Sequence, residues 1–130
     1  MITREDVESH LLRLEEDFEE LEQGMWAVDM AGEDVRLVIH HSPPLLLFRI
    51  KVMEVPEDEQ QCTELFRRLL ELNATDLVHG AYGIEEGDVI LSSALQLENL
   101  DFNEFQATVD SMQMAVASHF EALSPFRSNC

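Results

Sequence analysis

Basic residues are scarce in this chain. Eight lysines and arginines stand against 27 aspartates and glutamates, a formal charge of −19. A field of that sign repels phosphate backbones and anionic lipid, so neither nucleic acid nor a membrane surface is an expected partner. Long apolar runs are missing as well, and no stretch approaches the length that spans a bilayer. The opening residues Met1-Ile2-Thr3-Arg4-Glu5-Asp6 lack the charged-then-apolar pattern of a secretory leader. The expectation is a cytoplasmic protein without membrane insertion. Cysteine is limited to Cys62 and Cys130, which do not suggest a disulfide framework. Cys62 falls on an apolar helical stripe and reads as a structural thiol.

Motifs that carry chemistry are also lacking. His40 and His41 are adjacent on or near a strand, which sends their side chains to opposite faces and away from a common metal. No Cys-x-x-Cys exists, and no histidine pair has helical ligand spacing. The acidic stretches contain no Asp-x-Asp-x-Asp-Gly calcium loop. Gly80, Gly83 and Gly87 surround a hairpin and are not followed by Gly-Lys-Ser/Thr, so they form no phosphate loop. Ser92 and Ser93 lie within a strand and lack a nucleophile elbow. The reading is of a non-catalytic protein with no cofactor and no metal, a small enzyme being the remaining alternative class.

What is present is a chain of 130 residues, 45% hydrophobic, the size of one ordinary domain. Residues 1–123 read as a single domain and 124–130 as a loose tail. Thr3 caps a first helix with Asp6 as its capping-box acid. Val7, Leu11, Leu14, Phe18 and Leu21 follow at steps of four, three, four and three, which predicts one helix running to Gly24. Three strands follow, over 25–30, 35–40 and 45–55, with turns at Ala31-Gly32-Glu33 and His41-Ser42-Pro43-Pro44. A second helix starts near Pro56-Glu57-Asp58 and carries Cys62, Leu65, Phe66, Leu69 and Leu70 as its stripe. Two more strands, 81–84 and 89–95, flank the loop Glu85-Glu86-Gly87-Asp88. Asp101 caps a third helix with Glu104 three residues on, and Phe105, Val109, Met112, Val116, Phe120 and Leu123 keep helical spacing. The fold class is α+β: helix, three strands, helix, two strands, helix.

Several segments then carry a resemblance. Leu69-Leu70-Glu71-Leu72-Asn73 is followed by Gly80-Ala81-Tyr82-Gly83-Ile84 and by Gly87-Asp88-Val89-Ile90-Leu91, with Leu95, Leu97 and Leu100-Asp101 beyond. A helix that ends in Leu-Asn before a hairpin with a Gly-Asp turn resembles the small type III secretion chaperones typified by the Tir chaperone, and the related YbjN-like domain proteins. The resemblance implies a strongly twisted antiparallel sheet, a homodimer, and a non-catalytic protein that holds an extended segment of an exported client. The YbjN-like branch implies instead a regulatory or sensory domain acting through a protein partner.

Strand alternation names candidate site residues. Arg36, Val38, Leu45, Leu47, Arg49 and Lys51 fall on the sheet face opposite Leu37, Ile39, Phe48 and Ile50. An apolar strip with basic neighbours suits a client backbone, apolar side chains and one or two acidic positions. The competing reading lays the second helix over this face and pairs the basic groups with the protein's own glutamates. The wide stripe on that helix offers Leu65, Phe66 and Leu69 as a two-fold contact between copies, or alternatively as part of the monomer core.

Overall fold

Thr3 opens the first helix as expected. Its hydroxyl accepts from the Asp6 N–H and the Asp6 carboxylate accepts from the Thr3 N–H, so each residue satisfies a donor that the helix leaves free. The computed structural model describes residues 2–30, 35–77 and 79–127. In chain order the elements are α1 (Arg4–Leu14), β1 (Phe18–Glu22), β2 (Met25–Asp29), β3 (Arg36–Ser42), β4 (Leu45–Glu54), α2 (Glu59–Thr75), β5 (Ala81–Glu85), β6 (Asp88–Gln96) and α3 (Phe102–Leu123), closed by a short 3-10 turn at Ser124–Phe126. The six strands form one antiparallel sheet in the order β1-β2-β3-β4-β6-β5.

The first helix is shorter than its periodicity predicts. It stops at Leu14, and Glu15 adopts the left-handed conformation at φ 61°. Phe18 and Leu21 belong to β1 instead, with Phe18 opposite Val28 and Leu21 at an irregularity in the ladder. Gly24 is a hairpin residue and not a helix stop. Glu22 pairs with Met25 across Gln23-Gly24, and Gly24 has φ +80°, a value that glycine adopts without a Cβ penalty. Strand pairing with β2 thus overrides a pattern that fits a helix equally well. The second hairpin is also tighter than expected, since Glu85 pairs with Asp88 across the two residues Glu86-Gly87. The turn expected at Ala31-Gly32-Glu33 lies outside the described residues, as does Cys130.

The helices share one side of the sheet. Val7 and Leu11 of α1, Leu65, Leu69 and Leu72 of α2, and Phe105, Val109, Met112, Val116 and Leu123 of α3 form one core with Trp26, Val28, Leu37, Ile39, Leu46, Phe48, Ile50 and Leu91. The Phe48 and Phe105 rings meet at its centre, 5.8 Å between centroids. On α3 the buried stripe runs through His119 and leaves Phe120 exposed, one position away from the expected phase. Leu100 and Phe105 are both buried around the Asp101 cap, where a hydrophobic staple places them. Cys62 is half-buried and its Sγ–H donates to the Pro56 carbonyl at 2.9 Å, a local bond at the start of α2.

Candidate functional site

Register fixes what the other side of the sheet displays. Ala27, Val38, Arg49, Ser92 and Ala81 form one cross-strand row, and Met25, His40, Leu47 and Ala94 form the next. Arg36 stands opposite Asp29, Lys51 opposite Ile90, and Leu45 between Ser42 and Gln96. Arg36, Val38, Leu45, Leu47, Arg49 and Lys51 therefore share one face, as their alternation predicts. Val38, Leu45 and Leu47 lie outside the core cluster and are partly exposed. Helix α2 packs its buried residues into the core on the opposite side, so it does not cover this strip.

The face is shallowly concave. A pocket of about 550 Å³ opens on it, walled by Met25, Val38, His40, Leu47, Arg49 and Ala94. Its lining mixes apolar Met25, Val38, Leu47 and Ala94 with His40, Ser92 and Ser93, and Arg49 is the charged side chain in its wall. The basic side chains are engaged with the protein's own carboxylates. Arg36 donates to Glu19 at 2.6 Å and to Asp29 at 3.0 Å, and Arg49 donates to Glu85 at 2.8 Å. Lys51 lies 3.5 Å from Asp88 and 3.8 Å from Glu54. The Glu19 bond, then the Asp29 bond, push the Arg36 guanidinium further above its ordinary value. These pairs are solvent-exposed, so each adds little to stability and can be rearranged by a partner.

The two sheet edges differ. At β5 the side-chain amide of Asn73 reaches across from α2. It accepts from the Tyr82 N–H at 2.7 Å and donates to the Tyr82 carbonyl at 3.2 Å, which closes that edge at its midpoint. Gly80 lies beside it, where an added Cβ would come within 2.6 Å of the Ser92 carbonyl oxygen. The Leu-Asn pair and the glycine of the sequence motif thus serve packing and edge protection. Edge β1 has its own device, the run Glu19, Glu20 and Glu22.

The α2 residues expected at a two-fold contact separate into two groups. Leu65 and Leu69 are core residues at 0% and 4% exposure, while Phe66 is 38% exposed and its neighbour Leu70 is 68% exposed. Positions 65, 69 and 72 form one helix face, and 66 and 70 the adjacent one.

The polar groups buried elsewhere are structural in arrangement. The Tyr82 hydroxyl lies 2.7 Å from His119 Nδ1, and His119 Nε2 lies 3.4 Å from an Asp76 carboxylate oxygen. This chain ties β5 to α3 and to the end of α2. Burial pushes the Tyr82 phenol up to about 12. His10 sits between Phe102 and Phe105, with ring centroids 5.7 and 5.4 Å away, and neither of its ring nitrogens has a hydrogen-bond partner among the described residues. His40 lies in the open-face pocket, whereas His41 Nε2 is 3.3 Å from the Ile2 carbonyl. Among the described residues, no group of three or more histidine, cysteine, aspartate or glutamate side chains could hold a metal ion.

An α+β domain of this topology, with one helix-covered and one open sheet face, can be set against known proteins. The family model CesT_Tir_1 matches residues 2–129. The chain belongs to this type III secretion chaperone family. Membership in the CesT/Tir family gives it a partner-binding, chaperone-like role. Comparison with curated proteins finds no match in sequence. Solved structures share the CesT/Tir fold at low identity. A chain of the heterodimeric ExoU–SpcU complex from the type III secretion system of Pseudomonas aeruginosa is 14% identical, with a TM-score of 0.68 over 94% of this chain and 98% of that one. YbjN of E. coli is 12% identical, with a TM-score of 0.68 over 93% of each chain. The Yersinia pestis secretion chaperone SycH, solved with a fragment of YscM2, is 15% identical, with a TM-score of 0.63 over 89% and 98%. No helix among the described residues is long and apolar enough to cross a membrane.

Proposed function

We propose that this protein is a non-catalytic cytoplasmic chaperone that holds an extended segment of a partner protein against the open face of its sheet. The observation that carries the reading is the strip Val38, Leu45 and Leu47 on the open face, with Val38 and Leu47 lining a pocket of about 550 Å³, while helices α1, α2 and α3 pack on the other side. Apolar surface that remains available in a folded domain suits protein binding. The charge of −19 helps to keep a protein with such a surface soluble. Leu45→Asp combined with Leu47→Asp, assayed by co-purification from the native cell, tests the reading. The variant is expected to stay folded by circular dichroism and to lose the partner. A folded variant that keeps its partner at full yield overturns the site.

Homodimerisation is a second part of the proposal. Phe66 and Leu70 leave an apolar patch on α2 that the described residues do not cover. A two-fold contact on this helix rests on these two side chains, with Leu65 and Leu69 supporting it from the core. A YbjN-like regulatory role through a protein partner would use the same open face, and the identity of the co-purified protein separates the two roles.

A further inference from the structure

The proposed open-face site also indicates what kind of segment it accepts, an inference that rests on that reading. The basic side chains on the face would by themselves favour acidic residues in the partner. Their geometry argues otherwise. Arg36, Arg49 and Lys51 meet the carboxylates of Glu19, Asp29, Glu85, Asp88 and Glu54, so three cations face five anions. Each cation is already matched, and the face as a whole keeps an acidic surplus. An acidic side chain arriving here would have to displace an existing carboxylate, and it would approach a surface of its own sign. A cationic side chain can share those carboxylates without breaking any pair. Between these charged groups the face offers apolar Met25, Val38, Leu47 and Ala94, interrupted by polar His40, Ser92 and Ser93.

We infer that the partner segment is extended, alternates apolar with polar residues, and carries cationic rather than acidic residues at its flanks. Its apolar side chains settle along Val38 and Leu47. Its lysines or arginines reach the carboxylates of Glu85 and Asp88 on one flank and of Glu19 and Asp29 on the other.

Two synthetic peptides of about ten residues, long enough to cover one strand, supply the probe. Both alternate leucine with threonine, and two flanking threonines are replaced by lysine in one and by glutamate in the other. Each is titrated into methyl-labelled protein at low salt. The lysine peptide is expected to shift the Val38 and Leu47 methyls and to bind at least about tenfold more tightly than the glutamate peptide, roughly 1.4 kcal/mol. Glu85→Gln combined with Asp88→Asn removes two carboxylates from the face while leaving most of the net acidity, and it should remove most of that preference. Equal binding, or preference for glutamate at the same methyls, overturns the inference and leaves the open-face site standing. A lysine preference unchanged in the double variant also overturns it, because net charge alone then explains the binding. Peptides that never perturb Val38 or Leu47 overturn both the inference and the site.

Discussion

The side-chain amide of Asn73 occupies the outward backbone groups of Tyr82, taking its N–H at 2.7 Å and donating to its carbonyl at 3.2 Å. A helix residue thereby stands in for a strand at the β5 edge. Asn73→Ala leaves both groups without this partner in a partly buried place, which should cost about 1–3 kcal/mol. Urea unfolding measures the loss, and amide exchange at Tyr82 should accelerate. Unchanged stability together with unchanged exchange would show that the amide contributes nothing to closing the edge.

Phe48 lies at the centre of the core, 1% exposed and in contact with Phe105. Phe48→Ala should lower stability by about 3–5 kcal/mol through lost burial and the cavity left behind. Thermal unfolding reads this directly, and an unchanged midpoint contradicts the assignment of the helix-covered face.

Much of this was legible in the chain itself, because the alternation of Leu37, Ile39, Phe48 and Ile50 against Val38, Leu47 and Arg49 separates the two faces of the sheet. The caps at Thr3 and Asp101 are local and readable for the same reason. The end of α1 was not legible. Val7 to Leu21 keeps helical spacing throughout, and only pairing with β2 makes Phe18 a strand residue. The Gln23-Gly24 hairpin was the available signal, since glycine suits a tight turn as well as a helix stop. The ion pairs of the open face could not be read either. Arg49 reaches Glu85 because β6 inserts beside β4 and carries β5 to the edge, a matter of strand order that no local pattern encodes. On α2, a stripe wide enough to include Leu65, Phe66 and Leu69 hides which of them face the core.

His10 should make stability acid-sensitive. Burial against Phe102 and Phe105 holds its imidazole below the ordinary 6.5, Arg13 adds to the effect, and Asp6 and Asp101 oppose it. The unfolded chain then binds more protons than the folded one between the two values. Stability is full above 6.5 and falls as the pH drops through the lowered folded value. Denaturant midpoints across this window should fall less steeply for His10→Phe than for the parent protein. Identical slopes would contradict the assignment.

Tyr82 is the only tyrosine, so alkaline ultraviolet titration reads it alone. Its phenol should ionise at about 12 in the folded protein and near 10 once unfolded. Stability is full below the unfolded value and declines as the pH rises toward the folded one, because the unfolded chain releases its proton first. Tyr82→Phe removes the hydroxyl that meets His119 Nδ1 and should cost about 1–3 kcal/mol. A titration midpoint near 10 in the folded state would place the phenol in solvent.

Phe66→Glu combined with Leu70→Glu should leave the monomer fold intact, since both side chains are exposed. Sedimentation equilibrium at micromolar concentration is expected to show a dimer for the parent and a 14.9 kDa species for the variant. A parent chain that already sediments at 14.9 kDa contradicts the α2 contact.

The central claim is that the open sheet face, and not the helix-covered side, receives the partner. Methyl-labelled protein titrated with its co-purified partner tests it most directly. The expected result is shift or broadening at Val38, Leu45 and Leu47, with Leu65, Val109 and Val116 in the core unmoved. Changes confined to exposed helix residues such as Leu12, Leu70 and Met114, with Val38 and Leu47 unperturbed, would contradict it.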